Sequence, residues 1–185
     1  MHVLEKFRYC PTCGSERFEI KNEKSKKCAA CGFEYYLNPS AAVAAFVFNE
    51  KGELLVVKRK KEPAKGTLDL PGGFCDMGET IEESLHREVK EETNLEVTAL
   101  SYLMSIPNDY IYSGFNVPTM DSFFVCKAVN ETEMRANDDA ETAFWLPLNQ
   151  LCTTDFGLTS IRKATMFFQE NKDKILKKIE KRHNI

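Results

Sequence analysis

The sequence predicts an α/β domain preceded by a small cysteine-rich ribbon. Three observations carry that reading. Two Cys-x-x-Cys-Gly segments lie within the first 32 residues, apolar β-type runs bounded by turn signals begin at Ala41, and a capped amphipathic helix begins after Thr80. A chain of 185 residues is long enough for one medium domain plus such a module, and its 43% hydrophobic content supplies a core.

Cys10-Pro11-Thr12-Cys13-Gly14 and Cys28-Ala29-Ala30-Cys31-Gly32 are separated by fourteen residues, just under the usual span between two zinc knuckles. Each glycine lets the backbone turn tightly behind its cysteine pair. Disulfides are the alternative reading. Against them, Cys75, Cys126 and Cys152 fit no pairing pattern, and the stretch MHVLEKFRYC lacks the apolar core of a secretion signal. Four thiolates close a coordination sphere, so Cys10, Cys13, Cys28 and Cys31 are expected to hold a structural Zn²⁺, not a catalytic one. Asn38-Pro39 marks a linker, which places the ribbon at 1–37 and the main domain at 38–185.

In the main domain, Ala41 to Phe48 reads as a buried strand, and Asn49-Glu50-Lys51-Gly52 as a hairpin turn into a second strand, Leu54 to Arg59. A loop from Lys60 to Gly66 and the short run Leu68-Asp69-Leu70 lead into a glycine turn. After the capped helix, Val97 to Ile106 reads as a strand and Pro107 to Pro118 as a long irregular loop, a feature that is commonly functional. Met120 to Val129 is a further strand, residues 137–141 an acidic loop, and Thr142 to Leu146 the last strand. Leu158 to His183 closes the chain as a helix, with Ile161, Thr165, Phe168, Ile175 and Ile179 on its apolar face.

The chemistry concentrates in residues 71–95, PGGFCDMGETIEESLHREVKEETNL. Thr80 followed by Glu83 forms a capping box, with Glu79 just outside the helix. On a helical wheel Ile81, Leu85 and Val89 form one apolar stripe; Glu92 falls within it, Glu88 at its edge and Glu91 just beyond. A solvated acidic face describes Glu83 and Lys90 but not these three. Carboxylates turned towards the protein body repel one another and lose hydration, so they need a cation to stay ionised together. An oxygen-only ligand set suits Mg²⁺ or Mn²⁺, and Gly72, Gly73 and Gly78 bring backbone groups close to such an ion or to a phosphate.

This stretch resembles the signature of the Nudix hydrolases. Gly73, Glu79, Arg87, Glu88, Val89, Glu91, Glu92 and Leu95 stand at the required spacing, and Asn94 replaces the final glycine at a position where a left-handed conformation is needed. The resemblance covers residues 39 to about 157 and implies an α/β/α sandwich with a mixed sheet. It further implies that Glu88 and Glu92 ligate metal, that Glu91 assists, that the Gly72 carbonyl adds a ligand, and that Arg87 pairs with Glu79. Arg59, ending the second strand, and Phe74 within the signature are candidate substrate contacts. Tyr110, Tyr112 and Phe115 can either stack on a planar ring or pack the loop onto its own domain. Glu141 best matches a further glutamate that the family brings to the cluster, with Asp138 and Asp139 as competitors.

The ribbon narrows the resemblance to NADH pyrophosphatases and related enzymes of FAD or ADP-ribose. Ser105-Ile106-Pro107-Asn108 stands where the NADH enzymes carry Ser-Gln-Pro-Trp, so the related group fits better. The implied reaction is hydrolysis of a nucleotide's diphosphate linkage to two monophosphates. Alternatives are a nucleoside triphosphate or dinucleoside polyphosphate pyrophosphohydrolase, and a non-catalytic nucleotide sensor or nucleic-acid binder. The net charge of −3 disfavours a nucleic-acid partner, and the lysine-rich segments 21–27 and 161–185 read as solvated faces. No apolar run approaches membrane-spanning length, so a cytoplasmic enzyme with a small nucleotide substrate is expected, and a homodimer is compatible with the sequence.

Overall fold

A computed structural model describes the backbone of residues 2–182 and the side chains of residues 2–177. The ribbon is a three-stranded antiparallel sheet of β1 (Phe18–Asn22), β2 (Ser25–Cys28) and β3 (Glu34–Tyr36). Its small core joins Cys10, Phe18 and Cys28 to Phe7, Phe33 and Tyr35. With so little apolar surface to bury, a unit of this size needs a staple.

The main domain is built on β4 (Ser40–Phe48), β5 (Leu54–Arg59), β6 (Leu68–Asp69), β7 (Gly72–Phe74), β8 (Val97–Tyr112), β9 (Phe115–Ala128) and β10 (Ala140–Leu146). Five of these run β10-β5-β4-β9-β8 across one mixed sheet, with β6 beside β5 and β7 beside β4. β4 and β9 are parallel from Ser40↔Thr119 to Phe48↔Lys127; β8 and β9 are antiparallel. The continuous apolar run of β4 follows from its central place, because both its faces are covered. Val43, Ala45 and Val47 pack against Leu85 and Val89 of helix α1 (Ile81–Thr93). Ala44, Phe46 and Phe48 pack against Ile161, Ala164 and Phe168 of helix α2 (Thr159–Arg182). The result is the expected α/β/α sandwich. Phe168 is fully buried, and its truncation to alanine would cost about 3–5 kcal/mol. Of the expected closing helix, His183 and the side chain of Ile179 lie outside the described residues.

Helix α1 forms for the reasons read in the sequence. The Thr80 hydroxyl accepts from the Glu83 N–H while the Glu83 carboxylate accepts from the Thr80 N–H at 2.8 Å. Asn94 ends the helix at φ 59°, donating its N–H to the Lys90 carbonyl.

One expectation is overturned. Residues 107–118 are not an irregular loop but the distal half of the β8–β9 hairpin, paired out to Tyr112↔Phe115 and closed by Ser113-Gly114. Both turn residues have positive φ, as a two-residue type I′ turn requires. Pro107 and Pro118 suggested a break, yet each sits where the sheet tolerates it. Pro107 lies on the edge strand, and Pro118 stands one residue before β9 begins to pair with β4. The two strands therefore run beyond the sheet as a projecting arm. Its tip meets the ribbon: Phe7 stacks on Phe115 at 5.3 Å, and the Lys6 ammonium donates to the Gly114 carbonyl.

Candidate active site

Two glycines set the geometry of the site. A side chain on Gly72 would lie 2.1 Å from the Val43 carbonyl oxygen, so only glycine lets β7 press this closely on β4. At Gly73 a Cβ would fall 2.7 Å from all three atoms of the Glu88 carboxyl group. The absent side chain is the space the carboxylate occupies. The Gly72 N–H then donates to Glu92 Oε2 at 3.1 Å, drawing the buried glutamate onto the same loop.

Arg87 holds the cluster in register. Its Nε and Nη2 donate to the two oxygens of Glu79 at 2.6 and 2.9 Å, and Nη1 donates to Glu88 at 2.8 Å and Glu91 at 3.1 Å. Nη2 also reaches the Phe74 carbonyl. The forked guanidinium suits such multiple contacts as an ammonium would not. Arg87's hydrogen bonds pull the Glu79 carboxyl down to about 2. Burial works the other way on Glu88 and, far more strongly, on Glu92, where the charge of Asp69 adds to it. In both, loss of hydration disfavours the ionised carboxylate, which a bound cation would favour.

The cluster opens into a cavity of about 360 Å³, within the range of small-molecule sites. Eight carboxylates line it (Asp69, Asp76, Glu88, Glu91, Glu92, Asp121, Asp138 and Asp139) against two guanidiniums, Arg59 and Arg87. A polyanionic substrate cannot enter so negative a cavity unless divalent cations come with it. The donor set is all oxygen, which fits a hard cation. Ala42, Ala44, Leu70, Phe74, Tyr110 and Ile161 supply its apolar walls.

Residues 38–167 match the family model of the NUDIX domain. An ADP-ribose pyrophosphatase of Methanocaldococcus jannaschii is 36% identical over 149 residues, covering 80% of this chain and 82% of that protein. The chain belongs to the Nudix hydrolase family. An NAD-capped RNA hydrolase of Vibrio vulnificus is 31% identical over 57% of this chain, but the match spans only 40% of that protein's length. A Nudix hydrolase of Nitrosomonas europaea shares the fold, with a TM-score of 0.72 at 19% identity over 90% of this chain and 92% of that one.

The structure brings Glu79, Arg87, Glu88, Glu91 and Glu92 of the Nudix box together, and leaves Glu83 exposed in its capping role. Arg59 lines the cavity but is engaged: it donates to Asp69 at 2.5 Å, to the Pro63 carbonyl at 2.7 Å and to the Tyr110 hydroxyl at 3.3 Å. Phe74 and Tyr110 meet edge to face at 5.6 Å. Tyr112 is exposed and lines a smaller cavity of about 190 Å³ beside the first, while Phe115 serves the ribbon contact. Glu141 pairs with Lys58 at 3.0 Å and is not on the cavity wall, which Asp138 and Asp139 occupy. A bulge between Ala140 and Thr142 shifts the register of β10 at this residue.

Asp69, Asn108 and Asp121 also line the cavity, and none of them belongs to the Nudix signature. For the two aspartates the signal is a carboxylate beside a buried apolar run, Asp69 between Leu68 and Leu70 and Asp121 ahead of Phe123 to Cys126, which a protein keeps only when it is hydrogen-bonded. Asp121 accepts from Thr119, Ser160 and Asn108; Asp69 accepts from Arg59 and from the Leu70 N–H.

In the ribbon, the four cysteine sulfurs lie within 4.8 Å of one another, with Cys10–Cys31 at 3.7 Å and Cys13–Cys28 at 3.6 Å. A tetrahedron with zinc–sulfur bonds of about 2.3 Å has edges of about 3.8 Å. The cluster fits zinc. Both knuckles close alike: Gly14 donates to Cys10 and Gly32 to Cys28, each glycine at positive φ. The Cys31 N–H, with that of Ala30, pulls the Cys28 thiol down to about 6, which prepares it as a thiolate ligand.

Among the described residues no helix is long and apolar enough to cross a membrane.

Proposed function

We propose that this Nudix hydrolase cleaves the diphosphate bond of an adenine nucleotide linked to a second moiety, releasing AMP and another monophosphate. ADP-ribose ranks first, ahead of FAD and NADH. The observation that carries this reading is the cavity itself, which the Nudix carboxylates line together with a wall of Phe74, Tyr110 and Asn108. The match to an ADP-ribose pyrophosphatase over most of both chains supports the ranking. So does Ser105-Ile106-Pro107-Asn108, which lacks the Gln and Trp of the NADH-type run.

Glu88 and Glu92, with Glu91 at the open rim, would hold Mg²⁺ or Mn²⁺; Cys10, Cys13, Cys28 and Cys31 would hold structural Zn²⁺. When bound, the divalent cation neutralises the diphosphate and the developing charge on its leaving phosphate. The chain's own groups orient the reactants. Arg87 and Glu79 fix the glutamates, Gly72 and Gly73 keep the backbone against them, and Phe74 with Tyr110 offers an aromatic wall to the base. We read the ribbon as residues 1–37 and the hydrolase domain as 38–185.

The test is a substrate screen of the purified protein with Mg²⁺, with products identified by chromatography. ADP-ribose should yield AMP and ribose 5-phosphate faster than FAD or NADH is cleaved. Faster cleavage of nucleoside triphosphates or dinucleoside polyphosphates than of any of these would overturn the assignment. Salt-sensitive binding of RNA or DNA without turnover would point to the non-catalytic alternative.

A further inference from the structure

Asp121 is buried deep in the cavity wall, at 8% exposure, yet takes no part in the Nudix box. It gathers three donors from three elements: Thr119 Oγ1 on β9 at 2.5 Å, Ser160 Oγ at the start of α2 at 2.5 Å, and Asn108 Nδ2 on β8 at 3.2 Å. A carboxylate accepting from an amide dictates which way the amide faces. Nδ2 is thus turned towards Asp121, and no other described residue bonds the Asn108 Oδ1. One N–H and the Oδ1 have no bond to a described residue, on a side chain that lines the cavity.

The sheet fixes where this amide stands relative to the phosphate chemistry. Ala42 of β4 is paired with Phe74 on one side and with Asp121 on the other. Phe74 and Asp121 are therefore two strand spacings apart, roughly 10 Å. The floor between them is Ala42 and Ala44, small enough to leave room for a ribose. Asn108 and Tyr110, two residues apart on β8, share one face of the strand and line the same cavity. The cavity thus places an aromatic ring beside an amide of fixed orientation, within a nucleoside's reach of the box.

An asparagine amide is complementary to a ring edge that carries an amino donor next to a nitrogen acceptor, as adenine does. Hypoxanthine has the same shape but presents a carbonyl oxygen in place of the amino group, opposite the Asn108 Oδ1. We propose that Asn108, oriented by Asp121, reads the amino-bearing edge of the adenine ring and makes this site selective for adenine nucleotides. Asn108 is the specificity-determining residue, and Asp121 its positioning residue. This inference rests on the reading of the cavity as a nucleotide-diphosphate site.

The experiment compares kcat/KM for ADP-ribose and for its hypoxanthine analogue, IDP-ribose, together with calorimetric binding of AMP and IMP. Wild type should favour the adenine member of each pair by about 10- to 100-fold. Asn108→Ala should bring both ratios close to one, acting through KM with kcat little changed. Asp121→Asn should lower the ratios in the same way, and Asn108→Leu, which keeps the side chain's bulk, should match Asn108→Ala. Equal treatment of the two bases by wild type, or ratios that survive Asn108→Ala in a folded protein, would overturn the inference while leaving the proposed reaction standing. If neither ADP-ribose nor IDP-ribose is cleaved but AMP still binds over IMP through Asn108, the proposed substrate falls and the base reader stands.

Discussion

The chain gathers like-charged ligands twice, and the two clusters are built on opposite plans. The four ribbon thiols come from two copies of one local turn, stand within 4.8 Å of each other and have no cationic side chain among them. The Nudix carboxylates carry a cation of their own, Arg87, wedged between Glu79, Glu88 and Glu91. They also depend on distant segments, since residues of β4, β5, β8, β9 and α2, with Asp138 and Asp139, complete the cavity. A closed set of four ligands is suited to a metal that stays. A rim left open beside bound arginine is suited to a metal that arrives with substrate.

The sharpest way to break this contrast is to remove charge from the open cluster. Glu88→Gln and Glu92→Gln keep size and shape, and each should lower kcat by ~10²-fold or more, about 2.7 kcal/mol. Glu83→Gln, whose carboxylate only caps the helix, should leave turnover nearly unchanged. Equal losses at all three positions would show that burial and orientation do not separate ligand from cap.

The closed cluster should behave differently. Cys28→Ser should abolish zinc retention and unfold the ribbon, yet leave the Nudix box able to turn over with a raised KM. The rise is expected because the ribbon's Phe7 stacks on Phe115 at the tip of the arm that carries Tyr110. Phe7→Ala isolates that contact. It should raise KM by about 2- to 10-fold, the worth of one aromatic pair, while zinc stays bound. An unchanged KM in Phe7→Ala would show that the arm stands without the ribbon.

The smallest effect concerns acid. Glu79 sits at about 2, below its ordinary value of 4.5, because Arg87 and then the Asp76 N–H favour its ionised form. Its stabilisation is complete above pH 4.5 and is lost as pH falls through 2. Glu79→Gln should therefore flatten the acid limb of a stability–pH profile in that window. An unaltered limb would remove Glu79 from the account.

The same contrast governs what could be read from the sequence. The ribbon was legible because its ligands are set by local spacing, and each glycine sits where the turn demands it. Helix α1 was legible too, since Thr80, Glu83 and Asn94 state its ends and the apolar stripe states its face. The arm from 107 to 118 was not, because Pro107 and Pro118 signal a break and only the sheet's edges reveal that both are tolerated. A bulge beside Glu141 defeats counting along β10, and Asp138 and Asp139 reach the cavity instead. Asp69 and Asp121 belong to no motif, and no periodicity announces a residue held by partners on other elements, Arg59 for the one and Asn108 and Ser160 for the other.

On this plan one metal would be built in and the other would be exchangeable and catalytic. The direct measurement is elemental analysis and ADP-ribose hydrolysis on the same sample, before and after desalting into metal-free buffer. One zinc per chain should remain throughout, with hydrolysis lost on desalting and fully recovered on adding Mg²⁺ alone. Hydrolysis that survives without Mg²⁺, or that returns only with zinc, would contradict it.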